Sequence, residues 1–329
     1  PPPLPHPPTT ETYTVLTSSA ASDVYKRQKE IKAFVPREYW SIEADLQNKK
    51  DESFKANLHK VDGKKLDKFA IESQKQADEL VAGLKDAEYQ VSSLVKSEKK
   101  RNPAAPFTTS TLQQEANRKL GFSARKTMSV AQKLYEGIDI GDGEVGLITY
   151  MRTDSVALST VATDEAKELI TSEYGAEYAL TKPRVFKNKA KNAQEAHEAV
   201  RPTSLKWTPK QIKNHLSADQ IKLYKLIWER TMASQMASAI LDATTVDIAA
   251  GDRFTFRASG QVIRFPGFMK LYIEGTDNGS EEKEGMLPDL TEDEKVNCEK
   301  LHPNQHFTQP PARFTEASLV KILEEHGIG

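Results

Sequence analysis

The chain has 329 residues, 38% of them hydrophobic and 28% charged. It is long for one domain, natural for two or three, and able to bury sizeable cores. No apolar run reaches the ~18 residues of a membrane-spanning helix, and the single cysteine, Cys298, excludes an internal disulfide and suits a reducing cytoplasm. The net charge of −1 does not advertise nucleic-acid binding, but it is a cancellation: residues 110–213 carry 16 Lys/Arg against 13 Asp/Glu, whereas 272–300 carry 3 against 10.

In chain order, residues 1–28 read as foreign to the rest. PPPLPHPP favours an extended polyproline conformation. The following TTETYTVLTSSAASDVYKRQ has neither a period nor a cleavable-signal pattern, so a disordered or spurious leader is expected. From 29 to about 108 the pattern is mostly strand: EYWSIEADL and SFKANLHKV alternate apolar and polar residues. QKQADELVAGLKDA (74–87) reads as a helix between strands, and a basic, proline-containing linker ends at Phe107.

From 109 to about 236 the period becomes helical. Leu112, Ala116 and Leu120 recur at four-residue spacing, with Ser110 as candidate cap and Gly121 as stop. KTMSVAQKLYEG ends similarly at Gly137, and STVATDEAKELITSEYG at Gly175. Thr208-Pro209 with Gln211, and Ser217 with Gln220, carry capping-box spacing. From 237 to about 272, ATTVDIAAG, RFTFRASG and QVIRFPGFMKLY read as short strands bounded by glycines. A flexible acidic linker and a last helix, FTEASLVKILEEHGIG, complete the chain. The order β, α, β, α predicts a β domain interrupted by an inserted helical domain rather than a βαβ alternation.

Few motifs carry chemistry. GDGEVG (141–146) matches a dinucleotide fingerprint, but a helix precedes it and a β-rich stretch follows, so these glycines read as a turn. There is no P-loop, no H-E-x-x-H and no cysteine pair. KPRVFKNKAK (182–191) has five positive charges and no negative one; it reads as a solvated loop or as a phosphate-attracting edge. In GLITYMRTDS (146–155), Leu147 and Ile148 anchor a short extended stretch in which Tyr150, Arg152 and Asp154 share a face. A tyrosine, with an ordinary pKa of about 10, needs a nearby cation to attack phosphorus at neutral pH, and arginine supplies one in a planar fork. Tyr-x-Arg is short and common, so read alone a structural tyrosine stays the better reading. In NAQEAHEAVRPT (192–203), His197 and Arg201 share a face if the segment is helical, before Pro202 breaks it; a surface histidine and a solvated arginine are the plain alternative.

Taken together, KEIKAFVPREYW (29–40), FTTSTLQQEANRKLGFSARKTMSVAQKLYEG (107–137), GLITYMRTDS, AQEAHEAVRPT and PPARFTEASLVKILEEHGIG (310–329) resemble the bacterial type IA DNA topoisomerases, topoisomerase I branch, in that family's order. The resemblance implies that Tyr150 is the nucleophile on a single-strand phosphodiester. It would form a 5′-phosphotyrosine and a free 3′-hydroxyl, pass the other strand and reseal without ATP, relaxing negatively supercoiled DNA. Arg152 would be the transition-state cation, with Thr149, Thr153 and Asp154 flanking the site. His197 and Arg201 would contact backbone phosphate, and Gln132 and Glu136 would line the same cleft.

The implied domains are a partial DNA-carrying base (29–40 and 271–329), a β-rich arch (41–108 and 237–270) and a helical domain with the tyrosine (109–236). The family's Toprim domain, whose acidic residues bind Mg²⁺, resembles nothing before Lys29. The expectation is therefore an internal fragment, inactive alone, with its Mg²⁺ ligands outside this chain. The implied partner is single-stranded DNA, met by a monomer in the nucleoid-bearing cytoplasm. A non-catalytic single-stranded DNA-binding module is the alternative.

Overall fold

The computed structural model describes residues 18–141, 143–187, 197–276 and 287–326. Residues 1–17 of the leader, Asp142, residues 188–191 of KPRVFKNKAK, residues 192–196, residues 277–286 of the acidic run and the closing Gly-Ile-Gly lie outside the described residues.

Helix α1 (Ser18–Ala33) precedes strands β1 (Glu38–Gln47), β2 (Ser53–Val61) and the two-residue β3 (Lys64–Lys65). Then come α2 (Gln74–Leu84) and β4 (Tyr89–Arg101). The helical part holds α3 (Thr109–Leu120), α4 (Ala124–Glu136), the small hairpin β5 (Ile138–Asp139) and β6 (Glu144–Val145), α5 (Thr160–Tyr174), the one-turn α6 (Pro209–Ile212) and α7 (Ala218–Ser234). Strands β7 (Ala239–Ala250), β8 (Phe254–Phe265) and β9 (Lys295–Phe307) and helix α8 (Glu316–Glu325) complete it. The fold is mixed α/β. The helices are inserted between β4 and β7, which pair with each other along their length, from Tyr89↔Ala250 to Arg101↔Ala239.

The sheet is antiparallel, in the order β1-β9-β4-β7-β8-β2-β3, and β1 also pairs with β2, so six long strands close into a ring. The closure is narrow, because β4 and β9 pair only at Tyr89↔Val296 and Gln90↔Lys295, and beyond it β9 pairs with β1 alone. The period-2 pattern points Ile42, Ala44, Leu46, Phe54, Ala56, Val91, Ile248, Phe256 and Val296 into one core. Helix α2 adds Ala77 and Leu84 to it.

A second core gathers Leu112 and Ala116 of α3, Val130, Ala131 and Leu134 of α4, Ile170 of α5, and Leu223, Tyr224 and Ile227 of α7 around Phe107, Leu147, Ile148 and Met151. These helices start where capping chemistry dictates. Thr108, Ser123, Ser159, Thr208 and Ser217 each accept a backbone N–H of the first turn, worth about 1 kcal/mol apiece.

The two cores meet where the chain crosses between them. Arg184 donates to Asn102 Oδ1 at 3.2 Å, Met236 O at 3.1 Å and Ser238 Oγ at 3.2 Å, joining the exit of β4 to the entry of β7. At the third crossing Gly267 has φ +49°, and a Cβ there would sit 2.4 Å from Ala237 O, so only glycine fits. Helix α8 is tied to the helical part, and α1 to the segment that leads into α8. Arg27 donates to Ala312 O (2.7 Å) and lies over the Phe314 ring. Glu316 accepts from Ala124 N–H (2.7 Å), and Glu324 accepts from Ser110 Oγ (2.7 Å). Among the described residues no helix is long and apolar enough to cross a membrane.

Several expectations are corrected. The leader boundary at 28 falls inside α1. Thr108, not Ser110, caps α3, and Ser110 reaches α8 instead. RFTFRASG and QVIRF are one strand, β8, running through Gly260, because β7 pairs with it on both sides of that glycine. The end of the acidic stretch is not linker: β9 lies between β1 and β4 in the sheet. Base and arch therefore do not divide cleanly at residue 271, nor at residue 40, since β1 runs through it.

Candidate active site

The GLITYMRTDS stretch is held from three sides. On the first, α4 ends against it: Leu147 N–H donates to Leu134 O at 2.7 Å, and Leu147 and Ile148 are fully buried. A Cβ on Gly146 would lie 2.6 Å from Tyr135 O, so a glycine lets the chain pass this close. On the second side, residues 147–149 run antiparallel to 201–203. Thr149 N–H donates to Arg201 O (2.9 Å), Thr203 N–H to Leu147 O (3.0 Å), and Ile148 bridges Pro202. On the third side, Thr109 at the start of α3 donates from Oγ1 to Met151 O (2.8 Å) and accepts from Thr153 N–H (2.8 Å).

Between these clamps the chain alternates. Met151, Thr153 and Ser155 are buried, while Tyr150, Arg152 and Asp154 are exposed. Tyr150 is 44% exposed despite its size. The shared face expected from the sequence is thus present, produced by buried neighbours rather than by a regular strand. Among the described residues, no hydrogen bond engages the side chains of Tyr150, Arg152 or Asp154, so they are free to meet a ligand.

The other expected residues divide. Thr149 is half-buried; its Oγ1 donates to Ala199 O (2.7 Å) and accepts from Arg201 N–H (3.0 Å), so it holds the neighbouring segment. Thr153 is buried and accepts from Ser155 N–H (3.0 Å). Gln132 donates to Glu136 Oε1 (2.7 Å) on α4, and Tyr135, one residue before Glu136, packs its ring against Tyr150. His197 is exposed.

The condition under which His197 and Arg201 would share a helical face is not met. Ala199 N–H donates to Ala157 O (2.9 Å) and Val200 N–H to Phe107 O (2.8 Å), so this segment is extended. Arg201 is not a free phosphate ligand either. Its side chain is 11% exposed, and the guanidinium donates to Glu198 Oε2 (2.6 Å), Pro202 O (2.7 Å) and Ser159 Oγ (3.3 Å).

Three residues with evident parts in this architecture carry no sequence signal of their own: Tyr135, Thr109 and Glu198. Glu198 also accepts from Ser159 N–H at 2.5 Å, joining the segment to the start of α5. Burial pushes the Glu198 carboxyl up, but the Arg201 and Ser159 donors outweigh it and hold it below the usual carboxylate range. Among the described residues no three His, Cys, Asp or Glu side chains converge to hold a metal ion.

The sequence pattern of a family described as DNA topoisomerase matches residues 18–329. The chain is 49% identical to DNA topoisomerase 1 of Rickettsia bellii over 307 residues, 93% of this chain and 38% of that protein. It is 50% identical to DNA topoisomerase 1 of Xylella fastidiosa over 319 residues, 95% of this chain and 39% of that protein. The structure of full-length topoisomerase I from Thermotoga maritima is similar with a TM-score of 0.75 at 35% identity, over 95% of this chain and 48% of that one. The chain thus spans less than half the length of each of these relatives.

Proposed function

Because the chain belongs to the DNA topoisomerase family, we propose that it carries the strand-cleaving tyrosine of a type IA enzyme, and that this residue is Tyr150. The observation that carries the reading is the exposed face of Tyr150, Arg152 and Asp154 raised between buried Met151, Thr153 and Ser155.

Tyr150 Oη attacks a phosphodiester in single-stranded DNA and loses its proton. The bond from phosphorus to the 3′-oxygen breaks, that oxygen takes up a proton, and the phosphoryl group stays on Tyr150 as a 5′-phosphotyrosine. Arg152 stabilises the charge that grows on the phosphate oxygens. Because the ester energy is kept in the phosphotyrosine, the 3′-hydroxyl can attack back and reseal without nucleotide hydrolysis. Passing the second strand before resealing relaxes negative supercoils. In this reading the closed sheet is the arch, the inserted helices carry the tyrosine, and α1 and α8 belong to the base on which they rest. Arg201 acts through Glu198 and Ser159 by fixing the strand that carries His197, and His197 is the residue left free for backbone phosphate.

The test uses a chimera in which this chain replaces the 319 residues it matches in the Xylella fastidiosa relative. With a 3′-labelled single-stranded oligonucleotide and Mg²⁺, a labelled protein adduct should survive a denaturing gel, and Tyr150→Phe should abolish it. Binding of the oligonucleotide with no adduct would favour a non-catalytic DNA-binding module instead.

A further inference from the structure

Tyr135 lies on the last turn of α4 and is 41% exposed. Its ring meets that of Tyr150 edge to face, with centroids 5.4 Å apart and planes at 63°. Among the described residues this is the one aromatic contact of Tyr150, whose hydroxyl has no hydrogen-bond partner there. A surface tyrosine on an irregular stretch ordinarily exchanges between staggered rotamers. An edge-to-face neighbour favours one of them, because the positive ring edge meets the negative face.

The contact is built in at the backbone level. The bond from Leu147 N–H to Leu134 O and the missing Cβ of Gly146 bring the chain before Tyr150 against the peptide of Tyr135 itself. Helix α4 is fixed at its other end too, where Ser123 caps it and Glu316 accepts from Ala124 N–H. The Tyr135 ring is thus carried on a helix whose two ends are both held.

We propose that Tyr135 is a positioning residue for the nucleophile: its ring holds Tyr150 in a single rotamer before DNA arrives. The contact is ring to ring, so the Tyr135 hydroxyl is dispensable. This inference rests on the reading of Tyr150 as the nucleophile.

Two variants test it, Tyr135→Phe, which keeps the ring, and Tyr135→Leu, which keeps apolar bulk without one. In the chain carrying 3-fluorotyrosine at position 150, the fluorine resonance should be shifted by the neighbouring ring in the parent and in Tyr135→Phe. In Tyr135→Leu it should move toward the position of free fluorotyrosine. In the chimera, Tyr135→Leu should form adduct roughly tenfold more slowly at saturating oligonucleotide. The half-saturating concentration and the thermal midpoint should be unchanged, and Tyr135→Phe should match the parent. A Tyr135→Leu protein with the parental resonance and rate overturns the proposal. So does a Tyr135→Phe protein as slow as Tyr135→Leu, which would assign the role to the hydroxyl. Persistence of the adduct in Tyr150→Phe sinks the nucleophile reading itself, while the fluorine resonance still reports the ring contact separately.

Discussion

Adding one methyl group at Gly146 tests the local architecture most sharply. Its Cβ would lie 2.6 Å from Tyr135 O and 3.7 Å from the carbon of that carbonyl. Carbon–oxygen contacts settle near ~3.3 Å or beyond, so about 0.7 Å of movement is required. Neither side can give cheaply. Tyr135 O belongs to the last turn of α4, whose Leu134 is fully buried, and Gly146 O accepts from Thr203 Oγ1 at 2.7 Å. Overpacking of this kind costs about 1–3 kcal/mol. The smaller conformational freedom of alanine in the unfolded chain returns about 0.4–1 kcal/mol. The net loss is about 1–2 kcal/mol, and for a protein of this size the thermal midpoint should fall by roughly 1–3 °C. The displaced chain leads directly into Tyr150, and displacements near 1 Å cost catalysis about a hundredfold, so Gly146→Ala in the chimera should slow adduct formation by roughly tenfold or more. Circular dichroism melts of the chain and the denaturing-gel assay are the measurements. A Gly146→Ala protein with parental midpoint and parental adduct rate would refute the claim that this close approach sets the nucleophile.

Glu198→Gln should destabilise the protein at neutral pH. The folded carboxyl is held below its ordinary value, so its contribution is fully present above about pH 4.3 and is lost as pH falls through the lower folded value. The gap between variant and parent in urea midpoint should therefore close on acidification, and a gap that widened would contradict the pairing with Arg201. Tyr272→Phe removes the hydroxyl that donates to buried Glu115 Oε2 at 2.6 Å, and should cost about 1–3 kcal/mol in guanidinium unfolding. Arg184→Met removes three bonds where the two cores join. It should speed proteolytic nicking around Asn102 and Ser238 more than it lowers the melting midpoint, and unchanged nicking would argue against a joining role.

The parts of this molecule that could be read from the sequence are those whose cause is local. Strand β2 follows from alternation, and α6 and α7 start at Thr208 and Ser217 because a side chain three residues on completes each cap. Strand β9 fails that test. Only Val296 among its residues is buried, so it has no apolar face to announce it, and Pro303 argues against a central strand. Its identity comes from its neighbours. It pairs with β1 from Asn297 to Phe307, but β4 reaches only Lys295 and Val296, so at Pro303 the strand has a partner on one side only and a proline is tolerated there.

The site divides along the same line. Tyr150, Arg152 and Asp154 were legible because burial of Met151, Thr153 and Ser155 imposes a two-residue period. A helical reading of the spacing of His197 and Arg201 loses to Pro202, which disfavours helical geometry in the residue before it, and to two extended partners far away in sequence, Phe107 and Thr149. Thr109, Glu198 and Tyr135 stayed silent because each acts across a fold-dependent contact. The residues that could be read present the chemistry, and those that could not hold it still. A search for further determinants of this site should therefore look at what fixes the last turn of α4 and the first turns of α3 and α5, not at more residues resembling the reactive ones.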